Sequence, residues 1–242
     1  FIDIYENLYC SMFDKHRVDK KRLDGTTTSV AGSELNTLNH PWGIFVDINL
    51  DLYVADWGNH RIQLFRRNQR NGTTVAGKGS TKITIILFSP TSVVLDGDRH
   101  LFIVDQGNHR IIGSDENGFR CIFGCSGGGS TNDKLSFPQT MSFDSYGNIY
   151  VTDLTNNRVQ KISLSKPSDR KRENRRSIAF SFHFYSVVLT LSYNQPRFCL
   201  NTIWNSIATS FADQSFLGTD PHGIFVNSNN SIYIPNRQTG QI

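Results

Sequence analysis

The sequence predicts an all-β fold built from four-stranded antiparallel blades, on three grounds. One sequence unit recurs four times, with a fifth copy at the C-terminal end; the unit holds only strand-like runs and turns; and its period lies in the forties. The second copy reads P-W-G-I-F-V-D from Pro41, L-Y-V-A-D-W-G-N-H-R-I from Leu52 and G-T-T-V-A-G up to Gly77. The third spans 90–124 around L-F-I-V-D-Q-G-N-H-R-I, and the fourth, from Pro138, holds I-Y-V-T-D-L-T-N-N-R-V. The first begins mid-unit, with Phe1-Ile2-Asp3 falling on Phe45-Val46-Asp47. The last reads P-H-G-I-F-V-N from Pro221 and S-I-Y-I-P-N-R-Q-T-G-Q-I from Ser231. Arg17, Arg61, Arg110 and Arg158 are thus 44, 49 and 48 residues apart. A strand-only period of this size is the mark of β-propeller blades.

Each element follows from the local pattern. The run W-G-I-F-V-D (42–47) is apolar and ends in a turn, with Asp3, Asp47, Asp96 and Asp144 co-registered at the strand ends. L-Y-V-A-D (52–56) is a second apolar run, R-I-Q-L-F (61–65) alternates with period two, and T-T-V-A-G (73–77) closes the unit. I-N-L-D, W-G-N and R-N-Q-R-N-G between them are turn chemistry. Near-continuous apolar inner strands suit sheets covered on both faces by neighbouring blades. Residues 78–88 and 125–136 read as inter-blade loops.

The 242 residues, 12% aromatic and with 19 glycines, suffice for one large all-β domain. The chain does not begin with Met and starts inside a repeat, so it reads as a fragment, and the absence of a leader carries no information. The net charge of +4 is localised, because 166–176 alone carries six basic and two acidic side chains. The near-neutral repeats give no compositional hint of a phosphate-binding face, so RNA is not an expected partner. Cys121 and Cys125 read as a local disulfide or as two free thiols, and the spacing alone leaves both open. The triplets Asn71-Gly72-Thr73 and Asn229-Asn230-Ser231 suit a secreted chain and favour an extracellular over a cytoplasmic location.

The expected organisation is propeller blades over 1–164, an insertion over 165–192 and a partial further blade over 193–242. The insertion is basic and then uncharged. Its apolar part (177–193) reads as a linker or extra strand, as a membrane anchor, or as translated non-coding sequence. Its serines, its His and its strand-like alternation weigh against an anchor.

The repeat resembles the NHL repeat, named for an Asn-His-Leu run. Here that run reads Asn59-His60-Arg61 and Asn108-His109-Arg110, with Asn157-Arg158 in the fourth copy, alongside Y-V-x-D, P-x-G-I-F-V-D and V-A-G. The resemblance covers 1–164 and 193–242. It implies an NHL-type β-propeller, and since such propellers usually have six blades, this chain reads as an incomplete ring. Copies depart from the pattern: Met12 stands where Asp56, Asp105 and Asp153 stand, Cys10 replaces Val54, and Asn236 and Gln241 replace Asp and Arg in the last copy.

Asp56 ends the second strand and Arg61 starts the third. A carboxylate there can accept backbone N–H groups in the turn and pair with the guanidinium. The same applies to Asp105 with Arg110 and Asp153 with Arg158. Their recurrence argues for a structural role, because one active site does not need its residues in every blade. Strand alternation puts the loop after the second strand and the loop before the first on one face. Candidate ligand-binding residues are the positions there that vary among copies: His40, Trp42, Trp57, Thr91, Gln106, Gln139 and His222. An exposed Trp on a rigid platform is a binding anchor, although Trp42 and Trp57 can equally pack between blades. The resemblance extends to amidating lyases that bind metal through His. Here His40 and His222 are offset in the repeat, and neither a metal nor another cofactor is expected. No nucleophile elbow or Walker-type loop is present. The resulting expectation is a non-catalytic scaffold that binds a protein or peptide. The resemblance also implies two alternatives: the target-recognition module of a tripartite-motif-like ubiquitin ligase, and an enzyme of the lyase or lactonase type.

Overall fold

A computed structural model describes residues 1–32, 38–80, 84–163, 204–217 and 221–235. The first sheet contains β1 (Leu8–Met12), β2 (Arg17–Lys21) and β3 (Thr27–Ala31). The second holds β4 (Pro41–Val46), β5 (Leu52–Asp56), β6 (Arg61–Phe65) and β7 (Thr73–Gly77). The third holds β8 (Pro90–Leu95), β9 (Leu101–Asp105), β10 (Arg110–Asp115) and β11 (Gly118–Phe123). The fourth holds β12 (Pro138–Phe143), β13 (Ile149–Asp153), β14 (Arg158–Ile162) and β15 (Thr209–Ala212), and a final pair joins β16 (Phe225–Val226) to β17 (Ile232–Tyr233). Strands pair antiparallel in chain order, so the sheets are all-β meanders, as the pattern predicts. The remnant of the first copy survives as a single bridge, Ile2 to Leu8, where Val46 pairs Leu52 in the second sheet.

The fourth sheet departs from the expected division of the chain. Its outer strand is Thr209–Ala212, from the stretch assigned to a further blade, and Val159 pairs with Ala212. Residues 165–192, including the basic run and most of the anchor candidate, lie outside the described residues, as do Cys199, Asp220, Asn236 and Gln241. Among the described residues no helix is long and apolar enough to cross a membrane.

The sheets pack face to face over layers of apolar side chains. Val18, Val46, Val54 and Phe65 fill the first interface, and Phe45, Ile62, Val93 and Ile103 the second. Val104, Ile111, Met141 and Phe143 fill the third, where the buried Trp204 also donates its indole N–H to the Gly147 carbonyl at 3.3 Å. The inner strands β4, β8 and β12 lie side by side. Gly43 permits one such approach, since a Cβ there would overlap the Thr91 carbonyl oxygen.

The acids that end each first strand organise the turn that follows. Oδ1 of Asp3, Asp47, Asp96 and Asp144 accepts two backbone N–H groups each, two and four residues on, at 2.8–3.0 Å. Asn227 does the same in the fifth unit, at 3.0 and 2.8 Å. The second carboxylate oxygen takes a side-chain donor four residues on: Asn7, His100 or Asn148. In the second unit that position is Asp51, which cannot donate. Arg99 of the third unit supplies the charge instead, at 2.7 Å from Asp47 and 3.3 Å from Asp51. Burial pushes the Asp47 and Asp96 carboxyls above the usual carboxylate range.

The second set of acids joins three segments of each blade. Asp56, Asp105 and Asp153 are fully buried. Their Oδ2 atoms meet the Nε atoms of Arg61, Arg110 and Arg158 at 2.7, 2.8 and 2.7 Å. The same oxygens accept Nδ2 of Asn59, Asn108 and Asn156 at 2.9 Å. The backbone donor is not in the turn, where the sequence places it. It precedes the first strand: Asn39, Phe88 and Ser136 N–H reach Oδ1 at 2.7, 2.7 and 2.6 Å. The first sheet lacks this acid, and its Arg17 pairs with Asp19 at 2.9 Å.

The His of the repeat links one blade to the next. His16, His60 and His109 hold left-handed φ values of 52°, 57° and 57°. Their Nδ1 atoms accept the backbone N–H of His40, Ser89 and Phe137, each at 3.0 Å.

Two stability outcomes follow from these bonds. Asp105→Ala should lower unfolding free energy by about 3 kcal/mol, because it strands a guanidinium, an amide and a buried N–H together. Denaturant titration checks this; an unchanged midpoint would remove the acid from the frame. Asp96→Asn should cost less than about 1 kcal/mol while Asp96→Ala costs about 2 kcal/mol, because an amide oxygen still accepts both turn N–H groups, as Asn227 does. Equal losses in the two variants would show that charge, not acceptance, holds the turn.

Candidate binding face

Antiparallel alternation puts the turns 57–60 and 106–109 on the same face as residues 39–40 and 88–89, which precede the first strands. His40 lies before β4 and Trp57 follows β5, and the two rings meet across the blade at 6.2 Å. Phe13, from the turn after β1, completes the group. Its ring lies 4.5 Å from His40, 5.2 Å from Trp42 and 6.0 Å from Trp57. The His16 ring stands edge-on to His40 at 4.4 Å. The five rings form one aromatic surface over the junction of the first and second sheets.

Trp42 is 36% exposed, and Trp57 and His40 are half-buried. Trp57 is fixed from the third sheet, since its Nε1 donates to Gln106 Oε1 at 3.3 Å. His40 is fixed by its own N–H on His16 and by a 2.6 Å contact between its Nδ1 and Asn39 Oδ1. That contact pairs donor with acceptor when the proton sits on Nδ1, which makes Nε2 an acceptor. The surface therefore combines apolar area with a few oriented polar atoms on a rigid frame.

The remaining sequence candidates divide. Trp42, Thr91, Gln139 and His222 each follow the Pro of an inner strand or its equivalent. Thr91 and Gln139 are buried rather than presented on the loop face, because neighbouring inner strands close over them. The Thr91 hydroxyl donates to the Pro138 carbonyl at 3.3 Å and ties the third unit to the fourth. The Gln139 Oε1 is buried without a hydrogen-bond donor among the described residues. His222 is half-buried beside the final strand pair. It belongs to a different unit from His40, and among the described residues no three His, Cys, Asp or Glu side chains converge as a metal site. Cys121 and Cys125 are joined by a disulfide at the end of β11. The six Asp and Arg residues of the turns lie in the blade frame described above.

Phe13 and His16 were not singled out by the sequence. Aligning the first copy would have found Phe13, which falls where Trp57, Gln106 and Leu154 fall. The loss of the preceding Asp to Met12 obscures the match.

Residues 38–65 match the NHL repeat model. Comparison with curated proteins finds no match. Among solved structures the chain is similar to virginiamycin B lyase from Staphylococcus aureus, at 12% identity and a TM-score of 0.58 over 98% of this chain and 61% of that one. It is similar to a gluconolactonase from Xanthomonas campestris, at 13% identity and a TM-score of 0.62, covering 96% of this chain and 66% of that one. A nidogen/laminin complex matches at 20% identity and a TM-score of 0.50, covering 64% of this chain and 54% of that one. The chain thus spans less than two thirds of the length of each of these structures, and at these identities the likeness concerns the fold alone. The repeat match at 38–65, the antiparallel four-stranded sheets and these likenesses agree on a β-propeller fold that carries an NHL repeat.

Proposed function

We propose that this propeller is a non-catalytic scaffold that binds a protein or peptide through its loop face. The observation that carries this reading is the aromatic surface of Phe13, His40, Trp42 and Trp57, held rigid by bonds from three sheets. Large, pre-ordered aromatic side chains contribute most to protein interfaces, because they bury area at low entropic cost. The Asp–Arg pairs that recur in three blades are committed to the frame, where their bonds are already made. The nidogen/laminin complex supports the reading as a propeller seen with a protein partner. A lyase or lactonase activity draws support from fold likeness, and a tripartite-motif-like recognition role from the repeat.

The test is a peptide selected from a random library on the immobilised chain, then titrated at low and high salt. Trp57→Ala and His40→Ala should each weaken binding by about tenfold or more, in the range of an interface anchor. Replacing Arg66 and Arg67 together should change it by less than about twofold, with weak salt dependence, since few counterions are released. Steep salt dependence, sensitivity to Arg66 and Arg67 and indifference to Trp57 would overturn the loop face as the binding site.

A further inference from the structure

The face opposite the aromatic surface carries a cleft between the first and second sheets, of about 540 Å³. It is lined from turns that the antiparallel order sends away from the loop face: the turn after Asp3, the turn after Asp47, residue 22 and residues 66–70. Five cations line it, Lys20, Arg22, Arg66, Arg67 and Arg70, and no Asp or Glu does. Its floor is apolar, formed by Val30, Leu50 and Leu52 with the buried rings of Tyr9 and Phe65. The near-neutral composition of the repeats conceals this, because the cations come from two units and meet only in the fold.

Lys20 and Arg66 meet carboxylates. Lys20 lies 3.4 Å from Asp3 and over the Tyr9 ring, and Arg66 lies 2.9 Å from Asp51 with its side chain 57% exposed. Arg22 reaches Thr26 at 3.5 Å, a long contact between exposed groups. Among the described residues neither Arg22 nor Arg67 pairs with a carboxylate. The five cations outnumber the carboxylates that meet them, Asp3 and Asp51 by ion pairs and Asp24 through its electrostatic interaction with Arg22.

One wall of the cleft belongs to β3, which contributes Ser29 and Val30. β3 is the outer strand of its sheet and pairs only with β2, so its far edge is open among the described residues. An open strand edge beside an apolar floor takes an extended chain by strand addition, with alternate side chains in the cleft. A rim of cations selects a chain with acidic side chains.

We propose that this cleft is a second binding site, distinct from the aromatic face, for an extended acidic peptide segment of a partner protein. The segment lies along β3, sets its carboxylates against Arg22 and Arg67, and sets an apolar side chain over Phe65 and Val30. A peptide fits better than a nucleic acid because the open edge offers main-chain hydrogen bonds and the floor is aliphatic as well as aromatic.

The probe is a fluorescein-labelled peptide alternating Glu with Val and Phe, titrated by anisotropy against the full chain. Binding should weaken by about tenfold in the double variant Arg22→Glu, Arg67→Glu and weaken with salt, as contacts to exposed charges do. Both side chains are exposed, and a thermal melt confirms that the variant folds. The same peptide with Gln for Glu, or with alternate backbone nitrogens methylated, should bind at least about tenfold more weakly. Trp57→Ala should leave this binding unchanged, so failure here is separable from failure at the aromatic face. An affinity within about twofold of the parent in the double variant would overturn the proposal. So would equal binding of the Gln peptide, or tighter binding of an oligouridylate that displaces the acidic one.

Discussion

The buried carboxylate at the end of the second strand in three of the sheets is the interaction on which those blades depend. Asp56, Asp105 and Asp153 have no contact with solvent, and each gathers an Arg, an Asn and a backbone N–H. Desolvating an ionised acid is costly unless several donors meet it, and these donors come from both ends of the blade. The bond to the residue before the first strand fixes where the inner strand enters. The bond to Arg fixes the start of the third. The intervening turn places the residue before that Arg, His or Asn, in the left-handed region. That conformation aims the imidazole at the following blade. The acid secures the frame within three sheets, whereas the left-handed turn and its His link also form in the first sheet, where Met12 takes the acid's place.

The fold was legible because each unit repeats its apolar runs, its turn residues and its Asp-to-Arg spacing in register. Sequence reasoning reached the Asp–Arg pairs through charge and spacing, but the backbone donor it placed in the turn lies seventeen residues away, where only the closed blade brings it. It reached Trp57 and His40 through variation at loop positions. The same rule led to Thr91 and Gln139, which vary but are covered by the neighbouring inner strands. Variation among copies marks positions free of the repeat's own bonding, and such positions occur inside the ring as well as on its surface. The basic cleft was illegible for a different reason. Lys20 and Arg22 belong to one unit and residues 66–70 to the next, so a count of charges along the chain averages them away.

The two faces differ in how they are made. The aromatic face is built on short turns held by buried bonds, so its rings are ordered before any ligand arrives. The opposite face is built on longer turns that carry exposed cations, with an acid network of Asp47, Asp51 and Arg99 holding the second and third sheets together beneath them. Rigidity and apolar area serve recognition by shape on the first face. Charge and an open strand edge serve recognition by complementarity on the second.

The outer strand of the fourth sheet has a kinetic meaning as well as a topological one. β7 and β11 follow their partners through short turns, so those sheets can zip by local contacts. Thr209 of β15 follows Ile162 of β14 only after residues 163–208, and pairing strands so far apart in sequence carries an entropic cost that local hairpins avoid. During synthesis the second and third sheets can be complete while the fourth still shows the bare edge of β14. Its late closure makes β14 the strand most open to mispairing with another chain, and makes the sequence distance between β14 and β15 a control on how long that exposure lasts.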